Sequence, residues 1–235
     1  MVSTSEVKEY IERIKDPQII LKGCRKFHEE EPRDTAYVVS LDIIRKAPHK
    51  ENFVVEGSRL IKVTWDAIRF FKRKKEIRDH LSEDILSAYK ECKDDLSNLE
   101  KRSLKELDLT AFENTIKKIY SAFSSKPSIE YTGASKILHV ICPQVFMMWD
   151  RSIREAFHLL HNRNHKMGTA DCYLQFMHQS KGIVENIKMS ENDLWLQHLE
   201  FLDKDFVQAF SFRENILKML DECNYVRWFK EIKFY

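Results

Sequence analysis

The sequence predicts an all-α fold of roughly ten helices. Three observations predict it. Only 5 Gly and 5 Pro occur in 235 residues, fewer turn residues than an all-β or glycine-rich nucleotide fold needs. Apolar residues recur at gaps of three and four through most of the chain. Capping residues and prolines fall between those runs, where helices start and stop. Hydrophobic residues at 43% and charged residues at 32% supply material for a substantial core.

Ser5 to about Lys15 reads as a first helix. Pro17 suits the first turn of a second, which runs to about Glu30 and ends at the Glu-Pro step before Pro32. Thr35–Lys46 reads as a third, with Val38, Leu41 and Ile44 inward and Pro48 closing it. Residues 52–56 are compatible with a short strand before Gly57, and Ser58 with the cap of a helix from about Arg59. That helix carries Leu60, Ile61, Trp65 and Ile68 and runs into Phe70-Phe71-Lys72-Arg73-Lys74-Lys75, the densest basic cluster in the chain. Cations beside aromatics suit a nucleic-acid surface. They equally suit a solvated helix C-terminus.

Ser82 is expected to cap the next helix, whose Ile85, Tyr89, Cys92, Leu96 and Leu99 form one stripe. That stripe suits packing within the domain or, over about three heptads, a coiled coil. Thr110 with Glu113 has the spacing of a capping box ahead of Phe112, Ile116, Ile119, Tyr120 and Phe123. Ser124 to Pro127 ends that helix and is the best candidate boundary, dividing an N-terminal helical region, 1–125, from a second helical region, 126–235. The two read as parts of one compact unit. Further on, Thr169 caps a helix carrying Tyr173, Phe176, Met177, Val184 and Ile187, with Gly182 as a possible kink. Ser190 with Asp193 opens another, carrying Leu194, Trp195, Leu199 and Leu202. Asp203–Ser211, Arg213–Asp221 and Tyr225–Lys233 complete the chain, with Trp228, Phe229, Ile232 and Phe234 suggesting a docked tail.

Charge and cysteine usage exclude little but are informative. The formal net charge of +2 and pI of about 8.2 are too mild to imply nucleic-acid binding unaided. Cysteines at 24, 92, 142, 172 and 223 are odd in number and widely spaced, so free buried thiols are expected rather than disulfides or a zinc site. His158 and His161 have a ligand-like spacing but no obvious third ligand, so no metal and no cofactor is expected. The N-terminal fifteen residues are charged within six, unlike a signal peptide, and no apolar run has the length of a membrane span. A soluble, cytoplasmic location is expected, or the nucleoid or nucleus if the chain binds DNA, with no membrane partner. No P-loop, nucleophile elbow or HExxH sequence occurs.

Residues 131–154, YTGASKILHVICPQVFMMWDRSIR, carry the chemistry. Thr132 can cap a helix over Gly133 to Ile141 with Ala134, Ile137, Leu138 and Ile141 on its apolar face. Lys136 and His139 then fall on the opposite, accessible face. Cys142-Pro143 stops the helix, and Val145 to Trp149 form an apolar crossing that ends in Asp150 at the N-cap of another helix. Arg151, Arg154, His158 and His161 line one side of that helix, with His165 beyond.

This arrangement resembles the helix-hairpin-helix DNA glycosylase superfamily, over roughly residues 110–190. The family has a Gly-x-Gly-x-Lys hairpin leading into a helix, then an apolar segment ending in a helix-opening aspartate. The resemblance implies Lys136 as nucleophile, Asp150 as catalytic carboxylate and Gly133 as a phosphate contact. Gly133-Ala134-Ser135-Lys136 carries one glycine where the family has two, and Lys136 stands only fourteen residues before Asp150. A lysine amine attacks a sugar carbon only when neutral, and a nearby carboxylate can deprotonate it and stabilise an oxocarbenium-like centre. The target base would leave the duplex, and Trp149 is a stacking surface for it, as are Trp65 and Trp195. Arg151, Arg154, Lys72, Arg73, Lys74 and Lys75 would hold backbone phosphates of a DNA partner. Simpler roles stand beside these: Asp150 as a plain N-cap, Lys136 as a solvated lysine, Trp149 as core. The expected function is a DNA glycosylase or glycosylase/AP lyase. The alternatives are a non-catalytic nucleic-acid-binding or protein-interaction module on the same fold, and a helical scaffold without a nucleic-acid role.

Overall fold

Local sequence sets most of the helices. A computed structural model describes residues 3–30, 34–65, 71, 74–157, 169–199 and 215–232. These form twelve α-helices and one π-helical turn, with no strand among the described residues. In order they are α1 (Thr4–Arg13), α2 (Pro17–Glu30), α3 (Asp34–Lys46), α4 (Glu51–Trp65), α5 (Lys75–Asp79), α6 (Leu81–Leu99), α7 (Glu113–Ser124), α8 (Glu130–Ile141), α9 (Arg151–Ala156), α10 (Ala170–Glu185), α11 (Glu191–Leu199) and α12 (Ile216–Asn224), then the π turn Tyr225–Phe229.

Several starts are fixed by caps the sequence announces: Thr169 accepts from the Cys172 amide at 3.3 Å and Ser190 from Asp193 at 3.1 Å. The first helix starts one residue before the expected Ser5, capped by Ser3, which accepts from the Glu6 amide at 3.2 Å. Pro17 opens α2 as expected. The stripes of α6 and α7 are buried within the molecule, which leaves α6 no face for a coiled coil.

Three further starts and one helix interior differ from expectation. Residues 52–56 are helical, because α4 is continuous from Glu51 and carries Gly57 and Ser58 in its buried face. Gly57 allows this: a Cβ there would stand 2.7 Å from the Ser40 carbonyl oxygen and from Ile44 Cγ1, so α3 lies directly on the α4 backbone. Helix α6 begins at Leu81, with Ser82 inside it. The Thr110–Glu113 box does not form. Asp108 instead accepts from the Thr110 and Ala111 amides at 3.0 and 3.2 Å, and α7 begins after Phe112. Gly182 does not interrupt α10.

Two groups of helices share one continuous apolar cluster that runs from Val7 to Trp228. In the first, α8 lies against α3, α4 and α7, with α6 and α10 behind them. In the second, α12 and the π turn lie against α2 from the opposite end of the chain, and α11 covers α2. Arg227 pairs with Glu6 there, and Tyr10 donates to Asn224 at 2.9 Å. All nine residues of α12 are buried, although Lys218, Asp221 and Glu222 are among them. No helix among the described residues is long and apolar enough to cross a membrane. All five cysteines are free and buried.

Candidate functional site

The segment from Pro143 to Asp150 crosses the core without regular structure of its own, so its backbone polar groups need partners from elsewhere. Side chains of α8 and α10 supply them. His139 Nδ1 donates to the Phe146 carbonyl at 2.6 Å, and Tyr173 Oη donates to the Met147 carbonyl at 2.7 Å. Ser135 Oγ lies 3.2 Å from both the amide and the carbonyl of Trp149. The indole of Trp149 donates to the Tyr131 carbonyl at 3.3 Å. These bonds fix the crossing against α8, with Lys136 next to Ser135 and Asp150 next to Trp149.

His139 corrects the expected division of α8 into an apolar and an accessible face. It is fully buried, and burial drives its pKa down to about 3 despite the bond to Phe146. Phe146 O can only accept, so Nδ1 carries the proton and Nε2 accepts from Tyr37 Oη at 3.0 Å. Asn215 extends the chain by donating to Tyr37 Oη at 3.1 Å, while its own carbonyl oxygen caps the first amides of α12.

Lys136 is half-buried. Its Nζ donates to the Trp65 carbonyl at the end of α4, at 2.8 Å, and lies 5.6 Å from the centre of the Trp65 ring. Asp150 is also half-buried and is the N-cap of α9, its Oδ1 accepting from the Ile153 amide at 2.9 Å. A third group is under the electrostatic influence of these two. Asp221 of α12 is 6% exposed, and no hydrogen bond to its carboxylate is formed among the described residues. Burial pushes its pKa up to about 7; Lys218 and Lys136 oppose the rise, and Asp150 and Glu222 add to it. The charges of Lys136 and Asp150 therefore act on one buried carboxyl, from α8 and from the mouth of α9.

The remaining sequence-derived candidates separate by environment. Gly133 is not on a hairpin turn: α8 starts three residues earlier, at Glu130, and Thr132 and Gly133 lie buried within it. A Cβ on Gly133 would stand 2.8 to 3.0 Å from the end of the Lys62 side chain, itself wholly buried, so the space a phosphate would need is filled by lysine. Trp149 is core, 1% exposed between Tyr173, Tyr120 and Phe176, and presents no face for a base to stack on. Arg154 is 3% exposed, donates to Thr132 Oγ1 at 3.1 Å and stacks on Trp149, so it is held as an internal brace. Arg151 is exposed and paired with Glu155 at 2.6 Å. Lys74 and Lys75 are exposed at the start of α5. Trp65 is half-buried and Trp195 buried. Lys72, Arg73, His158, His161, His165, the segment Asp203–Ser211 and Phe234 lie outside the described residues.

The charged face of α12 is what sequence reasoning missed. Lys218, Asp221 and Glu222 fall at i, i+3 and i+4, which in a sequence is the signature of a solvated face. Here Lys218 Nζ bonds Glu222 Oε1 at 2.7 Å and lies 4.2 Å from the Phe27 ring centre, 5.0 Å from Tyr37 and 5.3 Å from Trp65. The far side of Glu222 meets His28 and His198, its Oε2 standing 3.6 and 3.9 Å from their Nε2 atoms. Cys24, His198 and Glu222 each place a potential metal-ligand atom within 4.8 Å of the others. Burial raises the Glu222 carboxyl, but Lys218, His28 and His198 outweigh it and hold it below the ordinary range. Burial takes His198 down to about 4 against the pull of Glu222.

Comparison with known proteins gives no relative: no family model matches the chain, and no curated protein or solved structure matches it significantly.

Proposed function

We propose that the chain is a nucleic-acid N-glycosidase of the helix-hairpin-helix glycosylase type, cleaving the bond between a base and its sugar. The observation that carries this reading is the buried carboxyl of Asp221, on which the charges of both Lys136 and Asp150 act. Cleavage of a glycosidic bond calls for an acid to protonate the departing group and an anion to support positive charge at the sugar carbon. Asp221, raised to about 7, can hold and give up a proton near neutral pH. Asp150 uses Oδ1 to cap α9 and has Oδ2 for the sugar or an attacking water. Lys136 acts on the Asp221 carboxyl through its charge, and with a neutral amine would open the lyase route. Arg151 and the 72–75 cluster remain the basic residues assigned to the nucleic-acid backbone.

Two observations favour a second reading. Lys136 Nζ is engaged with the Trp65 carbonyl and ring, and the glycine expected to meet phosphate is inside α8. Both suit a module that keeps the helical arrangement and binds without reacting.

The test is base release from duplexes bearing a panel of damaged bases, with borohydride trapping run in parallel. Wild type is expected to release at least one base, and Asp150→Asn or Asp221→Asn to slow release at least about 100-fold while remaining folded. Trapping by wild type and not by Lys136→Ala assigns the lyase step. No release from any lesion, with binding that weakens steeply as salt rises, gives the second reading. No binding at low salt removes both.

A further inference from the structure

The cluster at the junction of α2, α11 and α12 includes none of Lys136, Asp150 and Asp221 and has a chemistry of its own. We propose that Cys24, His28, His198 and Glu222 form a buried structural site for one zinc ion. Three helices bring the donors together: Cys24 and His28 stand one turn apart on α2, His198 is on α11 and Glu222 on α12. The donor atoms of Cys24, His198 and Glu222 are mutually within 4.8 Å. His28 Nε2 stands 3.6 Å from the Glu222 oxygen that faces the group.

That oxygen needs a partner. Glu222 Oε1 is taken by Lys218, whereas Oε2 is buried with no hydrogen bond among the described residues. Buried polar atoms are almost always satisfied, and a carboxylate oxygen left orphaned points to an ion or a water. One thiol, two imidazoles and one carboxylate at one point select an ion of zinc's type. Tetrahedral zinc with its usual bond lengths sets donors roughly 3.3 to 3.8 Å apart. The two distances from Glu222 Oε2, 3.6 and 3.9 Å, already nearly meet this. Cys24 and His198, whose donor atoms lie within 4.8 Å of that of Glu222, need about an ångström of movement to close the set with it. Binding releases the Cys24 thiol proton to solvent, leaving a thiolate on the metal. Four protein ligands leave no open position, so the ion acts as a staple. It joins helices from the two ends of the chain.

The test uses the full chain, stripped by chelator and titrated with cobalt(II), then with zinc. One equivalent of cobalt is expected, with tetrahedral visible bands and a thiolate-to-cobalt charge-transfer band, all abolished by one equivalent of zinc. Zinc is expected to raise the unfolding temperature by several degrees. Cys24→Ser should remove the charge-transfer band. Glu222→Gln and His198→Gln should weaken binding at least tenfold, whereas His80→Gln, at an exposed site, changes nothing. The wild-type spectrum decides the matter even if a variant fails to fold. No cobalt uptake, or uptake without the charge-transfer band, as binding by surface histidines would give, overturns the proposal.

Discussion

Ser135 has one hydroxyl and three backbone groups around it: the Thr132 carbonyl at 3.0 Å and the Trp149 amide and carbonyl at 3.2 Å. A sequence reading sees a small residue where a glycine would suit a phosphate turn. The structure uses it to hold the crossing segment to α8, and so to set Asp150 at the mouth of α9. Removing the hydroxyl leaves the buried Trp149 amide without its partner. Ser135→Ala should therefore cost about 1 to 3 kcal/mol, read as a lower urea midpoint at unchanged slope. An unchanged midpoint would mean that the crossing is held by His139, Tyr173 and Tyr131 alone. His139 shows the same limit of legibility: its spacing places it opposite the apolar stripe, yet Tyr37 arrives from 102 residues away to make that side interior as well.

At the scale of the element, three glycines in helices carry three different constraints. Helical Gly is ordinarily worse than Ala by roughly 0.5 to 1 kcal/mol, so substitution helps unless the Cβ meets something. At Gly182 of α10 nothing lies within 4 Å, and Gly182→Ala should stabilise by about that amount. At Gly133 the new methyl meets the far end of Lys62, which can shift only within a packed interior. At Gly57 it meets the Ser40 carbonyl oxygen at 2.7 Å, and backbone cannot move aside without parting α3 from α4. Gly57→Ala should cost about 2 to 3 kcal/mol. Melting temperatures are thus expected to fall in the order Gly182→Ala, wild type, Gly133→Ala, Gly57→Ala. Reversal of the first and last would contradict the close approach of α3 and α4.

For the whole molecule the decisive feature is α12, a helix enclosed on every side that brings three ionisable groups into the interior. Its consequence is a pH-dependent stability with terms of both signs. The folded chain keeps the Asp221 proton up to about pH 7, whereas the unfolded chain loses it near pH 4, so this group lowers stability as pH rises between those values. His139 and His198 act oppositely. Unfolded, they take protons below about pH 6.5 that the folded imidazoles refuse until about pH 3 and 4, so stability is lost as pH falls. Asp221→Asn isolates the first effect. Its stability relative to wild type should grow between pH 4 and 7, by an amount on the order of 4 kcal/mol, and stay level above that window. Denaturant melts at intervals of half a pH unit measure it. A constant difference across the range would show that the carboxyl is not protonated in the folded state. If the same variant loses base release while gaining stability, Asp221 is kept at a thermodynamic cost for its function.

What the sequence determined by itself was the helical class and most of the individual helices. The stripes of α6, α7 and α8, the Pro17 start and the caps at Thr169 and Ser190 are local patterns, and the physics that reads them reaches only a few residues. The Asp150 N-cap belongs with these. Tertiary structure alone decided which polar residues went inside. Lys62, His139, Arg154, Lys218, Asp221 and Glu222 have the spacing of solvated or capping groups. They are buried because partners from distant helices enclose them. The interior position of Gly133 and the enclosure of Trp149 were settled in the same way. An apolar face announces its burial by its own composition. A charge is buried only when the rest of the molecule supplies an opposite charge, a hydrogen bond or a ring, and those come from residues that lie far away along the chain.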